Sequence, residues 1–242
     1  MKKNEVANKQ PNAVDILNGQ KRGFEEATQR EDLIIPRVKL LQALSPEVAE
    51  GGLKAGLIIN SLTKEILPTD FIPVFKFTNW IRFNPRDNSK PGYDATFGPG
   101  DIIWRSVDPL DPKVRSEGSF GVNGELPLAI KFLNFFAYFP GVTMPIIISF
   151  SKTSYKAGKQ LLSLAQFTPG DMFSRKYKLS AKQTKNDIGT FYVLNVEPAG
   201  KPSDEEYSAA ESLYNNFGSK VKDIQVHEEG DEAANAAEQA PF

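Results

Sequence analysis

The run from Asp70 to Phe83 alternates so regularly that it admits little but a long β-strand. With a period of two, Phe71, Phe75, Phe77, Ile81 and Phe83 share one face of the pleat, and Lys76, Thr78, Trp80 and Arg82 share the other, because successive side chains of a strand point oppositely. The phenylalanine face asks for a core. The second face sets an indole between two cations that would not be buried together cheaply, so it is expected to meet solvent or a ligand.

The flanking sequence repeats this strand-rich style. Residues 1–31 are polar, mixed in charge and without sustained period, which predicts a disordered or weakly helical arm. Leu33 to Leu41 and Gly56 to Leu67 read as short strands, the second folded on itself at Thr63-Lys-Glu. A Gly- and Pro-rich stretch from Asn84 to Pro127 is long for a loop, and Asp101 to Arg105 is expected to be a strand inside it. Leu128 to Tyr138 and Met144 to Phe150 are strongly apolar strands around the Pro140-Gly141 turn and must be central. A helix capped by Thr153 or Ser154 runs to Gln166. Ser174 to Lys182 and Ile188 to Glu197 pair as a hairpin around Thr184 to Asp187. Ser203 and Glu206 make a capping box for a last helix within 201–223, which buries Tyr207, Leu213 or Tyr214, and Phe217.

In order, these elements predict a mainly β chain with few helices: an OB-fold-like antiparallel β-barrel, five strands in a Greek key with a helix between the third and fourth. The barrel spans 32–200, with an insertion after its second strand and two extra N-terminal strands. It is followed by a C-terminal helix packed on the domain (201–223) and a disordered acidic tail (224–242). Another antiparallel barrel, or a sandwich with one helix, fits nearly as well.

Several chemistries are excluded by residue type. The chain has no cysteine, which removes disulfides, thiol catalysis and common zinc sets and fits a reducing cytoplasm. Its one histidine, His227, sits at the start of the tail, so neither a Ser-His nucleophile system nor a histidine-rich metal site is available. Asp101, Asp108, Asp111 and Glu117 could bind a divalent metal as a nuclease would, but Asp108-Pro-Leu-Asp111-Pro is what turn chemistry alone produces. Phe97-Gly-Pro-Gly-Asp101 has no following Lys or helix and reads as a turn rather than a phosphate loop. No apolar run of membrane-spanning length and no signal-like segment is present, so the chain is expected to be soluble and cytoplasmic, needing no cofactor or metal and acting as no enzyme.

What remains is a nucleic-acid pattern. Lys152, Lys156, Lys159, Arg175, Lys176, Lys178, Lys182 and Lys185 stand against Asp171 alone. Such a stretch attracts the phosphates of a single strand through counterion release. Aromatics interleave with the charge: Trp80 with Lys76 and Arg82, Trp104 beside Arg105, Tyr155 beside Lys156, Tyr177 between Lys176 and Lys178, and, with less reason, Tyr138. Bases stack on such rings whatever their identity, for about 1–3 kcal/mol each.

The last residues carry a second signal. Glu228, Glu229, Asp231, Glu232 and Glu238 precede a terminal Pro241-Phe242 with no basic residue among them, while the body before them is net positive. An aromatic tip on an acidic tether suits capture by an apolar pocket with a basic rim. The ending resembles the C-terminal tip of bacterial and phage single-stranded DNA-binding proteins, with Asp231, Glu232, Pro241 and Phe242 as the matching residues and Gln239-Ala240 diluting the charge next to the tip. The resemblance implies sequence-independent single-stranded DNA binding and protection in replication, recombination and repair. It also implies recruitment of a helicase, nuclease, polymerase or recombinase through the tip. A homo-oligomer is compatible with this reading. A recombination annealase or mediator, and a virion or assembly β-sandwich protein, are the alternatives.

Overall fold

The structure, a computed structural model, describes residues 35–186 and 189–218. The expected arm at 1–31, hairpin residues 187 and 188, and the tail with Asp231, Glu232, Glu238, Pro241 and Phe242 lie outside the described residues.

The chain enters through β1 (Val38–Leu40), a short helix α1 (Pro46–Ala49) and β2 (Ile58–Asn60), with β1 and β2 pairing antiparallel. The fold-back expected near Thr63 is present. Asn60 makes it, its side-chain oxygen accepting from the N–H groups of Leu62 and Thr63, and Lys64 takes the left-handed conformation with φ 61°.

The long strand β3 (Asp70–Phe83) has the expected limits but not the expected faces. Opposite β5 (Ile130–Tyr138) its register runs Ile72↔Tyr138, Pro73↔Ala137, then Phe75↔Phe136, so Val74 is an extra residue. A bulge of this kind reverses the alternation beyond it. Phe71 therefore packs in one core, whereas Phe75 and Phe77 pack in another on the opposite side of the sheet.

Between β3 and β5 the Gly/Pro-rich stretch carries β4 (Ile102–Ser106), paired with the end of β3, and a helical turn α2 (Pro112–Glu117) that the sequence reading leaves as loop. Asp111 caps α2 by accepting from the Lys113 N–H, and Asp108 accepts from the Leu110 N–H, so both carboxylates serve turns. The chain continues through β6 (Ile146–Phe150), α3 (Tyr155–Phe167), β7 (Lys176–Asn186), β8 (Gly189–Gly200) and α4 (Asp204–Phe217). Ser154 precedes α3 without capping it, because its hydroxyl accepts from the Leu194 N–H of β8 instead. The β7–β8 hairpin is longer than expected, since Thr184 still pairs with Phe191. The capping box of α4 is complete: Ser203 Oγ accepts from Glu206 N–H, and the Glu206 carboxylate from Ser203 N–H.

The chain is thus mainly β, with a six-stranded antiparallel sheet in the order β6-β5-β3-β7-β8 and β4 attached to β3. This is the connectivity expected of an OB-type sheet with β3, β5, β6, β7 and β8 as its five strands and α3 between the third and fourth. Two corrections apply. The insertion follows the first of these strands, not the second, and the barrel is not closed: no backbone pairing joins β6 to β8 among the described residues.

Side chains and the N-terminal segment fill that gap. Pro36 O accepts from the Ile147 N–H of β6. On β8, the Gln42 side chain bonds both N–H and C=O of Tyr192, and Gln160 donates to Val196 O. These contacts satisfy edge groups that would otherwise template pairing with another chain.

Two cores flank the sheet. The interior one gathers Phe71, Phe135, Phe150, Tyr177 and Val196 with Leu161 of α3. Gly158 lets that helix come close, since a Cβ there would lie 2.6 Å from the Cβ of Phe150. The outer one lies under α4. Phe75 stacks on Phe136 at 4.7 Å, Phe217 lies 5.2 Å from Phe136, and Leu213 and Ala210 are fully buried over them. Tyr214, one of the two alternatives for this face, is 47% exposed.

Candidate nucleic-acid interface

The basic stretch folds into two elements. On the β7–β8 hairpin, Tyr177 and Leu179 turn into the core, so Lys178 and Lys182 occupy the other face and are exposed. Lys185 is exposed near the tip, opposite Thr190. On α3, Lys156 and Lys159 are exposed because Ala157, Leu161 and Ala165 take the buried side. Lys159 Nζ lies 5.8 Å from the ring centre of Tyr155, itself half-buried against the interior core.

Other members of the expected set lie elsewhere, and one of them is ion-paired. Lys176 Nζ lies 3.3 Å from Glu206 and 4.0 Å from Asp70, which ties α4 to the sheet. Arg175 and Lys152 are half-buried, Lys152 in a turn with φ 45°. Lys76 and Arg105 are exposed on β3 and β4.

The two tryptophans meet in a small core of their own. Trp80 and Trp104 are each 8% exposed and pack with Val114 of α2 and Ala129. Glu117 organises the polar side of this cluster: one carboxylate oxygen accepts from Arg82 at 2.9 Å and the other from Trp104 Nε1 at 2.8 Å. Lys131 completes it from outside, its Nζ 5.2 Å from the Trp80 ring centre. Little of either indole is open.

Tyr177 is 2% exposed with its ring 6.0 Å from Phe71, and burial pushes its hydroxyl pKa up against the nearby Arg175. Tyr138 is half-buried beside α4, and its hydroxyl is pushed up by burial and then by Glu206 and Glu205. Rings that do face outward are Phe167 at the end of α3, 85% exposed, and Phe120 in the insertion, 69% exposed. Sequence reasoning missed both. The only available signal was position: Phe167 closes a helix one residue before Thr168-Pro-Gly, and Phe120 lies between glycine-rich turns.

The insertion is tied down by one side chain that the sequence reading passes over. Asn84 is 1% exposed, donates to the carbonyls of Asp94, Phe97 and Gly98, and accepts from the Asp94 N–H. Among the described residues, no cluster of metal-ligating side chains gathers, and no helix is long and apolar enough to cross a membrane.

Fold and surface together define a mainly β protein built on an open six-stranded antiparallel sheet, with Lys156 and Lys159 exposed on one helix and Lys178, Lys182 and Lys185 on one hairpin. The chain belongs to the Pam3 phage gp34-like protein family, a phage protein family whose model matches residues 1–222. No curated protein and no solved structure matches it.

Proposed function

We propose that this protein binds single-stranded DNA without reading its sequence, coating strands exposed during phage replication or recombination in the host cytoplasm. It does so without catalysis. The observation that carries the reading is the OB-type strand order bordered by the exposed lysines of the β7–β8 hairpin and α3. OB proteins hold oligonucleotides on such a frame with a basic groove and sequence-tolerant stacking. Lys156, Lys159, Lys178, Lys182 and Lys185 supply the charge, and Phe167 at the end of α3 an open ring. The outer face of β3, β5 and β6, which an OB protein commonly uses, is covered by α4 here, so the strand's path lies on the hairpin side. The tail closing on Pro241-Phe242 recruits partner enzymes and, in the free protein, competes with DNA for the lysines.

Titration of labelled oligo-dT and of a duplex of equal length at two salt concentrations tests this. The expected result is preference for the single strand, with log affinity falling against log salt by about 0.7 per phosphate neutralised. Equal or absent binding overturns the reading. Removing residues 224–242 is expected to tighten binding, most at low salt where charges reach farther. Unchanged binding removes the competition while leaving the rest.

A further inference from the structure

Between the turn after α3 and the start of α4 lies a cavity of about 300 Å³. Pro169, Pro202 and Tyr207 give it apolar walls, and Arg175, Lys201 and Asp204 give it charge. The backbone accounts for this grouping. At the start of β7 the register runs Lys176↔Gly200 and then Tyr177↔Pro198, so Ala199 is a bulge residue, and Gly200 takes φ 97°. Bulges re-aim the chain that carries them, and this one leads Lys201 and Pro202 away from β8 to the cavity wall.

The charges are not spoken for. Lys176 spends its ammonium on Glu206 and Asp70, but Arg175 and Lys201 make no ion pair among the described residues. The capping box at the start of α4 occupies the Ser203 and Glu206 N–H groups, and the formal positive charge of the cavity comes from these two side chains.

We propose that this cavity holds one nucleotide unit of a bound single strand, an inference that rests on the DNA-binding reading above. The base lies against the prolines and the Tyr207 ring, the two flanking phosphates meet Arg175 and Lys201, and the Asp204 carboxylate accepts from a donor on base or sugar. The volume sits at the lower end for a ligand site, the scale of a single unit. Asp204 would repel a continuous run of phosphates, which also favours a single captured unit over a track.

The full chain carrying Arg175→Ala and Lys201→Ala tests it, with Lys54→Ala, an exposed cation outside the cavity, as control. Lys201→Ala alone, at an exposed position, guards against misfolding of the double variant. Two probes are used: oligo-dT by fluorescence over a salt series, and dTMP followed by amide shifts of residues 169–175 and 201–207. The double variant is expected to bind oligo-dT about tenfold more weakly at low salt and to lose about 1.4 from the slope of log affinity on log salt, 0.7 for each phosphate. Wild-type affinity and slope in the double variant overturn the cavity and leave the DNA-binding reading standing. Absent oligo-dT binding, with dTMP shifts at the cavity that the double variant abolishes, overturns strand binding and confines the cavity to free nucleotides. Silence from both probes overturns both.

Discussion

Two regions of this molecule carry the same kind of sequence and end in different surroundings. Lys76 to Arg82 sets Trp80 among cations, and Arg175 to Lys178 sets Tyr177 among cations. Both rings are buried and each region leaves one cation exposed, Lys76 and Lys178, yet Trp80 packs in a small cluster with Arg82 paired at its side, while Tyr177 enters the interior core and leaves Lys178 and Lys182 together on the outward face. The difference lies in what arrives from elsewhere in the chain. At β3 the insertion delivers Glu117, Val114 and Trp104, so Arg82 finds a carboxylate and the indole a lid. At β7 the chain delivers Glu206, which reaches Lys176 only, and the outward face of the hairpin keeps Lys178 and Lys182 exposed. A basic-aromatic pattern keeps its charge exposed only where no partner segment returns to satisfy it.

The sharpest way to break that comparison is to truncate the buried indole. Trp80→Ala is expected to cost about 3–5 kcal/mol of stability, as for other large-to-small changes of a buried aromatic. Whatever folded protein remains should bind oligo-dT as the unaltered chain does. Denaturant unfolding alongside titration separates the two effects. Retained stability with weakened DNA binding would make Trp80 a platform after all and erase the distinction.

The converse change acts on the hairpin. Lys178→Ala, Lys182→Ala and Lys185→Ala together are expected to lower oligo-dT affinity by about tenfold or more at low salt and to take about 2 from the salt slope, roughly 0.7 for each phosphate no longer neutralised. The melting midpoint should move by no more than about 2 °C, because exposed positions with no partner among the described residues contribute little to folding. A salt slope equal to that of the unaltered chain would mean that these lysines touch no phosphate.

How much of this was legible depends on how far apart the causes lie. The limits of β3, the apolar strands on either side of Pro140-Gly141 and the Ser203–Glu206 capping box are local, and local pattern finds them. The bulge at Val74 was invisible because Phe71-Ile72-Pro73-Val74-Phe75 is apolar whichever face each residue takes, and only pairing with β5 chooses. At the open seam the edge of β8 is covered by Gln42 on Tyr192, 150 residues apart, which no window of sequence can register. The basic set was found as a set, but its division into exposed and satisfied members was not. That division turns on Glu117 and Glu206, which read beforehand as a candidate metal ligand and a helix cap.

Glu117 is where the comparison can be sharpened most finely. Its two oxygens hold Arg82 and the Trp104 indole with side-chain exposures of only 23% for Glu117 and 17% for Arg82, so the pair is largely shielded from solvent. Glu117→Gln preserves shape and one acceptor but removes the charge and replaces the other oxygen with a donor facing a donor. The expected cost is about 1–2 kcal/mol, the worth of a charged hydrogen bond lost where water can partly compensate. Arg82 keeps its hydrogen bond to the Gly92 carbonyl, so the guanidinium, loosened on one side only, should raise oligo-dT affinity no more than slightly at low salt. An unchanged affinity with the expected loss of stability would place Arg82 wholly in the service of the fold.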